Sequence, residues 1–148
     1  SVKQTNRTFI KSYVEDYAKA ITENYRRYHL NTLNGNLHGN YPEYAKQQLA
    51  EIENGTANLM KFKVYTGKRY YKIVQQEFET WEKSRNYGKY ADHSVHCFVD
   101  KETGDVYKPA SWKAPAKHIR FTFQNVDHLK FLLNPDNVGW AGGYLYLR

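Results

Sequence analysis

The stretch Val95–Tyr107 constrains this chain most, because it reads as one structure and resists the others. Val95 to Val99 is rich in β-branched and aromatic residues; Asp100-Lys-Glu-Thr-Gly-Asp105 interrupts it, and Val106-Tyr107 resumes it. An Asp at the start of a turn bonds the backbone ahead of it, and a Gly takes positive φ without steric cost. A loop of this length with Gly near its end predicts a β-hairpin built on a type I turn and a bulge. Pro109 cannot donate to a ladder, so the second strand is expected to stop there or to lie at an edge.

A second hairpin is expected over residues 61–74. Phe62 and Val64 alternate with Lys61, Lys63 and Tyr65, which gives one apolar face and one basic, aromatic face. Thr66-Gly67-Lys68 supplies the turn, and Tyr71 and Ile73 oppose Lys72 and Val74 on the return strand. Five cations fall in this stretch with no acid: Lys61, Lys63, Lys68, Arg69 and Lys72.

The N-terminal part is helical in pattern. Phe9, Tyr13, Tyr17, Ile21 and Tyr25 recur at i+4 steps and predict a helix over residues 7–29, capped by Thr5 or Asn6. Residues 31–40 read as a loop with its turn at Asn34-Gly35. Residues 41–54 read as a surface helix, with Pro42 at its start and Gly55 just past its end. The segment 75–83 is ambiguous between strand and helix, and 85–92 reads as a loop. Residues 121–123 suggest a short strand, 126–133 a helix capped by Asn125, and 144–147 a final strand. The expected architecture is one α+β domain over residues 1–148: two N-terminal helices packed on a mainly antiparallel sheet of β-hairpins, with a short helix and strand at the C-terminus.

Charge points to an anionic partner. The chain carries 22 Lys and Arg against 15 Asp and Glu, a net charge of +7. Most of the excess lies beyond residue 60. After the central hairpin, Lys108, Lys113, Lys117 and Arg120 surround Trp112 with no acid among them, and Pro109 and Pro115 stiffen the loop. Cations interleaved with rings suit single-stranded nucleic acid: the cations follow the phosphates and the rings stack on bases. The candidate binding residues are Lys61, Lys63, Tyr65, Lys68, Arg69, Lys72, Lys108, Trp112, Lys113, Lys117 and Arg120. The plainer reading makes Trp112 a cap on the core and the lysines a solvated face that guards an edge strand.

The run from Phe98 to Arg120, Phe-Val-Asp-Lys-Glu-Thr-Gly-Asp-Val-Tyr-Lys-Pro-Ala-Ser-Trp-Lys-Ala-Pro-Ala-Lys and onward, resembles a signature of small bacteriophage-encoded proteins of unassigned function. The resemblance implies a viral origin and transfers no catalytic residue. With it, the leading expectation is a non-enzymatic, basic, phage-type nucleic-acid-binding protein that prefers single strands. The alternative is a viral interaction protein, a virion component or an inhibitor of a host protein, that uses the Trp–Pro loop as its anchor and meets an acidic partner.

Enzymatic readings have less to stand on. His93, His96 and Cys97 form the one metal-like cluster, but residues three apart on a strand diverge. Cys97 with His118 is a conceivable nucleophile pair, against the plainer view of Cys97 as a small buried hydrophobe. A metal-dependent nuclease built on Asp92, Asp100 and Asp105 is the third hypothesis. No phosphate-binding loop, dinucleotide fingerprint or serine-nucleophile elbow is present, and no cofactor is expected. One cysteine excludes an internal disulfide. No apolar run has the length of a membrane span, and the N-terminus lacks the apolar core of a signal peptide. The expected setting is therefore a host cytoplasm or a virion.

Overall fold

The computed structural model describes residues 2–147, with the side chains of residues 9–147. The fold is α+β. Two N-terminal helices, α1 (Val2–Leu37) and α2 (Pro42–Asn54), precede a five-stranded antiparallel sheet: β1 (Lys61–Thr66), β2 (Tyr70–Phe78), β3 (Tyr90–Asp100), β4 (Asp105–Tyr107) and β5 (Phe121–Thr122). A short helix, α3 (Val126–Leu132), and a 3-10 turn (Gly143–Leu145) close the chain. The strands lie in sequence order, so every connection joins neighbours.

α1 is longer than its stripe suggests, and it is rotated. The helix runs through the expected cap at Thr5 and Asn6 and through the expected turn at Asn34-Gly35. Leu33 is buried near the end of α1, and α2 packs against α1; tertiary packing of this kind outweighs the poor helix propensity of Asn34 and Gly35. The turn comes at Gly39 instead, where a Cβ would lie 2.9 Å from the Gly35 carbonyl oxygen. Ile10, Val14, Tyr17 and Ile21 form the buried ridge, whereas Phe9 stands 54% exposed and stacks on Tyr13. α2 is a surface helix, as its thin stripe implies; Ala45 is its one fully buried residue among those described, and Gly55 ends it in the left-handed conformation.

Both hairpins form. In the central one, Asp100 accepts hydrogen bonds from the backbone N–H of Glu102 and Thr103. Gly104 sits at φ +77, and an added Cβ would lie 3.2 Å from the Cβ of Phe123. β4 ends two residues before Pro109. The ambiguous segment 75–83 resolves as strand to Phe78 followed by turns.

β3 carries two register shifts against β2. Ile73 pairs with Cys97 and Val74 with Val95, so His96 is an extra residue; Gln75 pairs with Ser94 and Gln76 with Asp92, so His93 is another. A bulge breaks the two-residue alternation of faces. As a result His96 and Cys97, although consecutive, are both buried.

The core lies between α1 and one face of the sheet. Phe62, Tyr71, Ile73, Cys97, Val99, Val106 and Phe123 pack there with the α1 ridge, Leu132, Val138 and Leu145. The C-terminal segment is not the strand expected over residues 144–147. It turns at Gly142, which has positive φ, buries Leu145 and leaves Tyr146 and Leu147 exposed. Asn24 of α1 fixes it, donating to the Pro135 carbonyl at 2.7 Å and accepting from the Trp140 N–H at 3.0 Å.

Asn125 caps α3 as the sequence predicts, accepting from the N–H of Asp127 and of His128. Asn125→Ala should lower the unfolding free energy by about 1 kcal/mol, read as a shift of the urea midpoint at unchanged slope.

Candidate functional site

The second face of the sheet carries the basic and aromatic residues. Residues paired across antiparallel strands share a face. Tyr65 pairs with Lys72, Lys72 with Phe98 and Phe98 with Tyr107; in the neighbouring rows Lys63 pairs with Val74, and Lys61 with Gln76. This face is opposite the one that packs on α1.

The loop after β4 folds over it. Ala110 and Ser111 donate to the Ala114 carbonyl, Ala116 donates to the Lys108 carbonyl, and Pro109 lies opposite Pro115. The loop is thus a miniature hairpin with Trp112 at its tip, and the Ser111 hydroxyl braces the tip by accepting from the N–H of Lys113 and Ala114. Lys72 ties it to the sheet: its ammonium donates to the Trp112 carbonyl at 3.0 Å and sits 4.2 Å from the centre of the indole ring.

Between the β1–β2 turn and this loop lies an open groove of about 510 Å³. Six of the eleven residues singled out from the sequence line it: Tyr65, Lys68, Arg69, Lys72, Trp112 and Lys113. Two basic stretches far apart in sequence therefore meet on one surface. Trp112 is 43% exposed, so it is not the core cap of the plainer reading. Lys61 and Lys63 extend the same face along β1, over the rings of Tyr90 and Tyr65 at 4.0 and 4.8 Å. Arg69 lies over Tyr70 at 5.2 Å and approaches Asp100 at 3.7 Å.

The other three stand apart from the groove. Lys108 lies over Tyr146 and lines a small cavity with His96 and Trp140. Arg120 donates to the carbonyls of Leu145, Lys117 and His118, so it fastens the end of the loop to the C-terminal segment. Lys117 is exposed on the descending arm of the loop.

Sequence reasoning missed Tyr70, Phe98 and Asp92 in the groove. Tyr70 shares the face of Lys72 by simple alternation, which was a readable signal. Alternation from Phe98 already gives Asp92 this face, but its place along the strand was not readable: the two bulges set it opposite Gln76, where an unbroken register would put it opposite Phe78. The Asp92 carboxylate accepts from the Tyr65 hydroxyl at 2.9 and 3.0 Å and from the Gln76 amide at 2.8 Å. The bond to Asp92 holds the Tyr65 phenol above its ordinary pKa.

On the other face, a buried polar chain joins three parts of the fold. The His96 Nε2 meets the Tyr144 hydroxyl at 2.7 Å, and Tyr144 meets Tyr17 at 2.5 Å. Tyr17 in turn contacts the Cys97 thiol, and a backbone bond to Trp140 engages the His96 ring. Burial pushes the Cys97 thiol up to about 12 and the His96 imidazole down to about 4. Cys97 is fully buried in the core, where its raised pKa disfavours the thiolate, which fits the plainer reading of a small core residue.

The acidic residues of the nuclease hypothesis do not converge. Asp92 is held by Tyr65 and Gln76, and Asp100 braces its own turn. Among the described residues no three His, Cys, Asp or Glu side chains come together as a metal site, and His93 and His96 point to different partners, Glu77 and Tyr144. Among the described residues, no helix is long and apolar enough to cross a membrane.

Over residues 1–147 the sequence matches the model of a protein family described as a family of unknown function, DUF7717. The chain belongs to that family. No curated protein and no solved structure matches it.

Proposed function

We propose that this protein binds single-stranded nucleic acid in the groove between the β1–β2 turn and the Trp112 loop, without catalysing a reaction on it. The observation that carries the reading is that Lys68, Arg69, Lys72 and Lys113 line one groove with the exposed Trp112. Cations along such a groove follow a phosphate backbone, and an exposed indole stacks on a base of any identity.

The test is fluorescence anisotropy with labelled single-stranded DNA, duplex DNA and RNA across a salt series. Tight, salt-steep binding of a single strand is the expected result. Similar weak binding of all three at physiological salt would sink the reading. Replacing Lys68, Arg69 and Lys113 together by Ala should flatten the plot of log affinity against log salt by about 2, since each phosphate contact on a single strand contributes roughly 0.7 to the slope.

The same exposed tip favours a second reading, a protein–protein anchor, because a rigid, proline-bounded Trp suits a partner's pocket. In that case Trp112→Ala abolishes a protein complex, and nucleic-acid affinity stays weak and unselective in both forms.

A further inference from the structure

β1 is an edge strand of six residues, whereas β5 at the opposite edge has two. The direction of its backbone groups follows from the turn. The Gly67 N–H donates to the Tyr70 carbonyl, so those two residues form a hydrogen-bonded pair. Such pairs alternate with non-bonded ones along an antiparallel ladder, and the β1–β2 register is unbroken from the pair Thr66–Tyr71 to the pair Lys61–Gln76. Tyr65, Lys63 and Lys61 therefore bond to β2. The N–H and C=O groups of Phe62, Val64 and Thr66 turn outwards, and among the described residues no strand or loop bonds to them. A row of such groups is a template for another strand.

The side chains beside this edge divide by face. Phe62 and Val64 face α1, and an open cleft of about 390 Å³ lies between them and Ala18, Lys19 and Thr22 of that helix. Val64 is only half-buried there. Glu15 and Glu23 rim the cleft, so it favours apolar side chains over further carboxylates. On the opposite face Lys61 and Lys63 are exposed. A strand laid along β1 would put every second side chain in the cleft and the others beside the two lysines. Lysines guard an edge against copies of the same chain: a second β1 would bring its own Lys61, Lys63, Lys68 and Arg69 against these. An acidic strand meets no such barrier. We propose that β1 docks an extended segment of a partner protein with alternating apolar and acidic residues, which adds to the five strands as a further antiparallel one. Its backbone bonds to Phe62, Val64 and Thr66, its apolar residues fill the cleft, and its carboxylates meet Lys61 and Lys63. In this mode of recognition the main-chain bonds supply affinity and the alternate side chains supply specificity. The edge is distinct from the groove at the Trp112 loop, so the proposal stands whether or not that groove binds nucleic acid.

The test uses the full chain and a labelled, capped peptide of alternating Glu and Val, as long as β1, read by fluorescence anisotropy. The Glu–Val peptide should bind, and a Lys–Val peptide of the same length should not. Lys61→Glu combined with Lys63→Glu should weaken the Glu–Val peptide by on the order of tenfold and let the Lys–Val peptide bind. In an antiparallel ladder the peptide residues opposite Phe62 and Val64 share their face and bond to them. N-methyl groups on the Val residues should therefore abolish binding, and N-methyl groups on the Glu residues should not. Val64→Pro removes an outward N–H and none from the β1–β2 ladder, a place where an edge strand tolerates proline. It should abolish binding with the sheet retained by circular dichroism, whereas Val64→Ala, which keeps the N–H, should only weaken it. If Val64→Pro does not fold, the methylated peptides decide on the unaltered chain. No change in anisotropy up to millimolar peptide overturns the proposal. Equal binding of the Glu–Val and Lys–Val peptides, or binding that tolerates N-methyl groups on the Val residues, overturns it as well.

Discussion

Acidification from about pH 7 to pH 4 should destabilise this protein by about 3 kcal/mol through His96. The unfolded chain exposes the imidazole, which then titrates near its ordinary 6.5, whereas the folded chain holds it near 4. Between those values the unfolded state binds the proton and the folded state does not. Stability is therefore complete above about 6.5, falls as the pH drops, and levels off below 4, where both states are protonated. The cause is local: desolvation opposes the charge, and the Nε2 nitrogen already faces the Tyr144 hydroxyl. Urea melts across this range measure the effect, and His96→Gln isolates it. The variant starts less stable, having lost packing against Phe62, but its stability changes much less between pH 6.5 and 4. Parallel curves for the two proteins would show that His96 is not the group responsible. Glu23, whose pKa is lowered mainly by a hydrogen bond from Arg26, titrates below the ordinary carboxylate value and leaves the window of His96 largely free.

How far the fold was legible follows from the range of the forces involved. Turn chemistry is local, so Asp100 and Gly104, Gly55 and Asn125 marked their structures in the sequence, and each is found performing that role. The alternation of Phe62 with Lys61 and Lys63 revealed which face of β1 is buried. Other features are decided by contacts between distant segments. α1 continues through Asn34 and Gly35 with Leu33 buried beside them, a contact that the local sequence does not announce. Tyr144 and Leu145 alternate like a strand, but their partners are Tyr17, His96 and the core rather than a neighbouring ladder. The site divides in the same way. Its cations and Trp112 were visible as acid-free runs; their meeting in one groove, and the departure of Lys108 and Arg120 from it, depended on how the loop folds back.

The bulges connect the buried chain to the open groove. β3 makes room for His96 by adding a residue, and His96 is fixed in place by Tyr144, which Tyr17 anchors from α1. The first extra residue turns Val95 onto the face of Phe98, and the two together move Asp92, which alternation already gives that face, to the place opposite Gln76. A bulge that re-aims side chains is a conserved kind of device in β structure rather than a defect. Here the bulges set the Asp92 carboxylate beside Gln76 and within reach of Tyr65. This link also explains why the rule that strand residues three apart diverge, sound for a regular strand, fails for 92, 95 and 98.

Trp112→Ala is the substitution expected to damage binding most while leaving the fold intact. The ring is 43% exposed and sits at the tip of its loop, so its removal opens no core cavity. The tie from Lys72 goes to the Trp112 backbone carbonyl, which the variant keeps, and the Ser111 braces are likewise untouched. Stability should change by less than about 1 kcal/mol. Single-strand affinity should fall by about 1–3 kcal/mol, roughly 5- to 150-fold, the cost of losing one stacked base. The salt dependence should stay as it was, because no cation has been removed. Trp81→Ala is the matching control: Trp81 is 63% exposed, yet it lies in the β2–β3 connection and does not line the groove. Anisotropy titrations of the two variants at one salt concentration separate a specific stacking site from general exposed hydrophobicity. If both lose affinity equally, stacking at the Trp112 loop is not what holds the strand. If only Trp81→Ala loses it, the site lies on the β2–β3 connection and the groove between the turn and the loop is not the binding surface.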